Sequence, residues 1–249
     1  MKYKTFDEYE KHARKVLGKG DSILASYIFR TFSLRISYFI YKNFPNTDPN
    51  DITTLSILIV LISGIFFLSP SPIYWIIGSL GYFIFHIFDC VDGEVARSLN
   101  KSSNFGAIYD GLVHQYANPI RILFPGIGIY LYFNNLLFLA LTLYVTVAVI
   151  VTDDIIVFSR RILKSSSIIR EVNEKHYFSG SIKITKIFFG FEGYTISLIL
   201  SSILDLIIFI FVGYLFVFRV ILILIVFLSY LIVHFKFLYR FYRFVKKNR

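Results

Sequence analysis

IYWIIGSLGYFIFHIFDCVDGEVARSLNKSSNFGAIYDGLVHQYANPI, residues 73–120, decides the reading of this chain. It opens on an apolar run, Ile73–Phe88, whose helix is expected to continue through Arg97. A short polar turn follows, and a second, more polar stretch runs from Ala107 to Phe133. A bilayer span needs about twenty mostly apolar residues. The segment therefore reads as two membrane helices with charged residues gathered at the ends they share. Charge is costly inside a span and marks a site.

Working outward, the same criterion predicts Ile52–Leu68 before this pair, ended by Ser69-Pro70-Ser71-Pro72. After it come Leu136–Phe158, Tyr194–Leu215 and Val220–Tyr239, with Gly213-Tyr214 as the only punctuation between the last two. The expected fold is all-α, a polytopic membrane protein with six transmembrane helices. Composition agrees. The chain is 56% hydrophobic and 19% aromatic, with a mean hydropathy of +0.65, too apolar for a water-soluble globule. Its single cysteine, Cys90, excludes an internal disulfide and a cysteine-based zinc site. The N-terminal MKYKTFDEYEKHARKVLGKGD is polar and lacks the apolar core of a cleaved signal, so no cleavage is expected.

The net charge of +10 lies between the apolar runs, which favours an anionic membrane leaflet over nucleic acid as partner. With the N-terminus inside, nine Lys/Arg precede the first span and two separate the second and third. Seven more lie between Arg160 and Lys186, and six follow His234. Inside segments thus hold 24 of the 26 basic residues; the others are Arg219, expected in an outside loop, and Arg121, within the third span. This asymmetry requires an even number of spans with both ends inside. The predicted location is the plasma membrane of a prokaryote, with both termini and the site cytoplasmic.

Ala25–Phe44 is apolar but carries a polar stripe, Arg30, Ser33 and Ser37, and reads as an N-terminal amphipathic helix in the plane of the interface. The expected domains are a cytoplasmic N-terminal segment, residues 1–48, a six-helix membrane domain, 49–240, and a basic tail, 241–249.

The chemistry-bearing residues recur at helical spacing. Asp89, Asp92 and Ala96 share one helix face, and Gly106, Asp110 and His114 follow at intervals of four on the next. An antiparallel pair of helices would bring three carboxylates and an imidazole together. Such a group repels itself unless a cation sits within it. Oxygen ligands suit Mg²⁺, Mn²⁺ or Ca²⁺. Gly93, Ala96 and Gly106 lack bulk and leave room for a pyrophosphate near the backbone.

The spacing D-x2-D-G-x2-A-R-x8-G-x3-D-x3-H resembles the signature of the CDP-alcohol phosphotransferase family, with His114 where the family has a last Asp. PNDITTLS, Pro49 to Ser56, resembles the opening of the family's first span. The resemblance covers roughly residues 20–240, with its specificity concentrated in 89–114. It implies transfer of a phospho-alcohol group from a CDP-linked alcohol to a lipid or polyol acceptor hydroxyl, with release of CMP, in phospholipid or phospho-polyol biosynthesis. It implies Mg²⁺ or Mn²⁺, one or two ions, on Asp89, Asp92, Asp110 and His114, a donor pocket at Gly93, Ala96, Arg97 and Gly106, and a homodimer. No GxxxG pattern locates a dimer interface.

His114 stands open between general base, weaker ligand and sign of a non-catalytic site. An imidazole, with an ordinary pKa of ~6.5, can take a proton at neutral pH. Arg97 either binds donor phosphate or anchors the helix end. Arg121 falls on the face of Asp110 and is expected to contact the acceptor or to pair with Asp205. Arg160 and Arg161 read as interface anchors, His86 as core, and Glu94 as facing water. The segment KGDSILASYIFRTFSLRIS, residues 19–37, resembles the leader of the family's inositol-phosphodiester branch. The rival class is a transporter or membrane scaffold, which would carry its binding groups near mid-membrane in repeat-related halves. The chain shows no repeat.

Overall fold

A computed structural model describes residues 3–16, 25–163, 191–213 and 217–247, and every regular element among them is helical. The first helix is α1 (Phe6–Val16). A π-helical turn (Ala25–Phe29) leads into α2 (Arg30–Asn43), followed by α3 (Pro49–Phe66), α4 (Pro72–Ser98) and α5 (Asn104–Phe133). Then come α6 (Leu136–Leu163), α7 (Phe191–Val212) and α8 (Val217–Lys247). The side chains of Asp153, Asp154, Arg160, Arg161 and Glu192 lie outside those described.

Local chemistry sets these boundaries. Asp48 caps α3 by accepting from Asn50 N–H at 2.9 Å, with Pro49 in the first turn, where a missing N–H costs nothing. Ser103 caps α5 by accepting from Gly106 N–H at 3.0 Å. Pro72 opens α4, and the Trp75 indole ties back to the Ser69 carbonyl at 2.8 Å. Gly213, with φ +78°, ends α7 in a left-handed conformation that glycine adopts without strain. The helix α1 has acids in its first turn and bases in its last, matching the backbone dipole.

Among the described residues, α3, α4 and the Gly193–Val212 part of α7 are long and apolar enough to cross a bilayer. Shorter apolar stretches lie in α6 (Leu136–Val151) and α8 (Val217–Leu228). Helices surrounded by lipid gain little from burying apolar area against each other, because lipid tails are equally apolar. Close packing of small residues and polar links must hold them instead. A Cβ on Gly81 would collide with the Ser63 side chain on α3, and one on Gly128 of α5 would collide with the Phe67 carbonyl. In the core of these helices lie Val60, Trp75, Tyr82, Phe85, Ala117 and Leu198.

The proline-bearing α5 shows how polar links arise. Pro125 cannot donate to the Arg121 carbonyl one turn earlier. The Tyr194 hydroxyl of α7 points at that oxygen from 3.4 Å.

Two expectations about basic residues are corrected here. Arg219 is not in an outside loop: α8 begins at Val217, and Arg219 is wholly buried in its first turn. Asp205 of α7 accepts from its Nε at 2.5 Å and from the N–H groups of Phe218 and Arg219 at 2.8 and 3.1 Å. The Asp205 carboxylate thus caps α8 while pairing with its cation, which also lies 4.8 Å from the Trp75 ring. Asp205 is therefore not the partner of Arg121, because α8 brings a nearer arginine to it.

Candidate active site

The turn 99–103 reverses the chain so that the end of α4 faces the start of α5. Asp89 points from α4 toward His114 of α5, with Nε2 of the imidazole 2.8 Å from Asp89 Oδ1. Asp110, one turn before His114, places its Oδ1 3.6 Å from the same nitrogen. One donor atom from each of Asp89, Asp110 and His114 lies within 4.8 Å of the others. The three side chains are 23%, 44% and 36% exposed, so the cluster is open to a ligand. Phe85, one helical turn below Asp89, presents its ring to the imidazole edge at 6.2 Å between centroids.

Asp92 is placed differently. It is buried, and its Oδ2 accepts from the Thr53 hydroxyl of α3 at 2.7 Å while Oδ1 takes the Gly93 N–H at 2.5 Å. Asp89 and Asp110 remain within electrostatic reach of it. Its oxygens keep further lone pairs. The structure thus groups Asp89, Asp110 and His114 directly and holds Asp92 beside them against α3. Thr53, to which no role is assigned from sequence spacing, is the side chain that orients it.

The small residues line up around this group. The Arg97 guanidinium lies over Gly93, its nitrogens 3.1 and 3.2 Å from where a Cβ would stand. Gly106 faces Ser103 Oγ and Asn50 Oδ1, which would stand 3.3 and 3.4 Å from a Cβ at that position. Ala96 is partly exposed, one turn beyond Asp92. Asn50 and Thr53 both come from the PNDITTLS segment, so α3, α4 and α5 all contribute.

One turn below Asp89, His86 links three helices. Arg121 Nη1 of α5 lies 2.6 Å from its Nε2, and Thr195 Oγ1 of α7 lies 3.2 Å away. Arg121 is 1% exposed, donates to Asn118 Oδ1 at 2.8 Å and stacks 5.0 Å from the Phe85 ring. Its charge is felt at His114. The arginine is thus enclosed behind the cluster rather than lining its mouth.

Glu94, expected to face water, is 3% exposed. Residues two apart on a helix point roughly 200° away from one another. Glu94 therefore leaves the Asp92 face and meets α2, which covers it. The Tyr9 hydroxyl of α1 sits nearby, and burial pushes its pKa up to about 12, so it stays a neutral phenol.

The donor set tests the expected metal. Two ligands each about 2.1 Å from one ion stand roughly 3.0–4.2 Å apart. Donor atoms within 4.8 Å of one another need only small rotations to meet that. Two carboxylates and an imidazole suit Mn²⁺ well and Mg²⁺ through the oxygens. The residues present therefore fit a divalent cation.

Fold and site together define an integral membrane protein of helices whose polar hairpin carries a carboxylate–imidazole cluster. A sequence profile described as CDP-alcohol phosphatidyltransferase matches residues 46–214, which include every residue of this cluster, and the chain belongs to that family. It is similar to a protein of Thermococcus kodakarensis named bifunctional IPC transferase and DIPP synthase, 28% identical over 114 residues, 43% of this chain and 25% of that one. A protein of the same name from Aquifex aeolicus is 30% identical over 104 residues, 41% of this chain and 22% of the relative. The matched part of the chain thus spans about a quarter of each relative's length.

Proposed function

We propose that this chain transfers a phospho-alcohol group from a CDP-linked alcohol to an acceptor hydroxyl, releasing CMP, in phospholipid or phospho-polyol biosynthesis. The observation that carries the reading is the meeting of Asp89, Asp110 and His114 across the facing helices α4 and α5, inside the stretch that the family profile covers. In this reaction the acceptor oxygen forms a bond to the phosphorus bearing the donor alcohol. The bond from that phosphorus to the CMP oxygen breaks, and the acceptor proton must leave.

The His114 imidazole takes that proton. Its Nε2 is held 2.8 Å from Asp89 Oδ1, and a carboxylate there stabilises the positive charge the ring acquires. Asp89, Asp92 and Asp110 hold one or two Mg²⁺ or Mn²⁺ ions, which supply Lewis-acid stabilisation of charge on the phosphoryl oxygens when bound. Gly93, Ala96, Arg97 and Gly106 bind the donor, and Arg121, enclosed behind the cluster, would act on the acceptor side through its charge rather than by lining the mouth. A second role for His114, as a metal ligand, is supported by the same donor-atom spacing. His114→Ala separates the two. Lost turnover with unchanged Mn²⁺ affinity supports the base, and lost Mn²⁺ affinity supports the ligand. Full activity of both His114→Ala and His114→Asp would overturn the base assignment.

The same proposal places six spans in a prokaryotic plasma membrane with termini and site cytoplasmic, which the 24 inside basic residues support. It keeps residues 1–48, with the amphipathic interfacial helix, as a cytoplasmic segment, 49–240 as the membrane domain and 241–249 as a basic tail. It also takes the protein to act as a homodimer in contact with membrane lipids and without nucleic acid. The test is CMP release by purified protein from CDP-diacylglycerol, CDP-glycerol, CDP-inositol, CDP-choline, CDP-ethanolamine and CDP-ribitol with Mg²⁺ or Mn²⁺. Silence across the panel, with a range of acceptors, would return the chain to the transporter or scaffold reading.

A further inference from the structure

A carboxylate is buried on the far side of the catalytic helix. Glu94 Oε1 accepts from Arg30 Nη1 at 2.7 Å and from Ser33 Oγ at 2.8 Å, and Oε2 accepts from Ser37 Oγ at 2.6 Å. All three donors come from α2, at one-turn spacing along a single stripe. Arg30 Nη1 also reaches the Cys90 carbonyl at 3.4 Å, so α2 grips α4 at both ends of the Cys90–Glu94 segment. The outward side of α2 instead exposes Phe32 and Phe39 beside Thr31 and Arg35, with Tyr27 exposed in the turn before it. Its polar stripe therefore serves the carboxylate inside the protein.

Burying a charge is expensive and adds little stability even when paired. An apolar contact would join α2 to α4 more simply. What the carboxylate adds is a directional lock. Asp92 and Gly93 lie immediately before it, and Arg97, whose guanidinium covers Gly93, lies within its electrostatic reach.

We propose that Glu94 is a positioning residue: held by Arg30, Ser33 and Ser37 of α2, it fixes the Gly93–Arg97 segment of α4 and seats the Arg97 guanidinium over Gly93 at the donor-binding end of the site. This rests on the transfer reading above. Glu94 does not touch the Asp89–Asp110–His114 cluster, which faces α5, and Asp92 is held separately by the Thr53 hydroxyl of α3, so the loss of Glu94 acts on donor binding and spares the metal.

The experiment compares the full chain with Glu94→Gln, Glu94→Asp and Ser37→Ala in detergent. Three quantities are measured: donor KM and kcat, the dissociation constant for CDP with Mn²⁺ present, and Mn²⁺ affinity alone. Glu94→Gln is expected to raise donor KM and the CDP constant about tenfold, keep kcat within about threefold and leave Mn²⁺ affinity unchanged. Glu94→Asp should recover part of the loss, and Ser37→Ala should raise KM at least about twofold. Lower kcat at an unchanged KM would mean fewer folded molecules and would overturn the inference. Should Glu94→Gln fail to fold, Ser37→Ala decides, and an unchanged KM there overturns it. Should the parent turn over no CDP-alcohol, the transfer reading fails, and the CDP constants still judge Glu94. A parent that binds no CDP overturns both.

Discussion

Asp205 and Asp110 are both carboxylates on long helices, yet one is closed around a cation and the other is left open among like charges. Asp205 is fully buried against Arg219, and its two oxygens take three hydrogen bonds from the start of α8. Asp110 is 44% exposed, shares its neighbourhood with Asp89 and, among the described residues, meets only an imidazole at 3.6 Å. The first arrangement has nothing left to bind. The second gathers carboxylates that a bound cation would balance, which is the condition for a functional site.

This contrast can be broken most directly at the closed end. Asp205→Ala leaves Arg219 buried without this carboxylate and should cost about 3–5 kcal/mol of stability. Unfolding of the purified protein in detergent reads the loss, while Mn²⁺ affinity should stay as in the parent. At the open end the signs reverse. On the proposed reading, in which Asp110 holds the metal directly, Asp110→Asn should lower CMP release more than about 100-fold, roughly 2.7 kcal/mol of barrier. Its unfolding midpoint should equal or exceed the parent's, since one repelling charge is gone. A midpoint that falls as far as for Asp205→Ala would make the two sites alike and remove the reason to call one functional.

Two smaller effects sharpen the picture. Thr53→Val deletes the hydroxyl that donates to Asp92 at 2.7 Å, and a hydrogen bond to a charged group is worth about 1.5–3 kcal/mol. Turnover should fall about tenfold or more, with Thr53→Ser close to the parent. Equal turnover for valine would show that Asp92 does not need α3. Tyr194→Phe removes the hydroxyl that faces the carbonyl freed by Pro125. It should cost about 0.5–1.5 kcal/mol of stability and leave donor KM unchanged.

Much of the helical layout was legible because span length and apolar runs are properties of the chain alone. The expected runs and the observed helices differ mainly at their ends, as at Pro49 and Pro72, where caps rather than hydropathy set the first turn. The meeting of Asp89, Asp110 and His114 was legible as well, through spacings of four on α5 and the short turn before it. Thr53 was within reach, since it stands in the PNDITTLS segment, but nothing in that string says which carboxylate its hydroxyl meets. Glu94 was misread because a carboxylate near a helix end normally faces water. The signal against that was the Arg30–Ser33–Ser37 stripe on a helix more than fifty residues away. Arg219 was misread for a related reason, since a basic residue between two apolar runs looks like a loop until Asp205 and Trp75 are brought to it.

The sequence by itself determined the helices, the imbalance of basic charge between apolar runs and the acid-rich motif across α4 and α5, because each depends on neighbours along the chain. The tertiary structure alone decided which charges are closed and which stay open. Pairings such as Glu94 with α2, Asp205 with α8 and Asp92 with Thr53 join distant segments, and whether a carboxylate is silent or available depends on what packs against it.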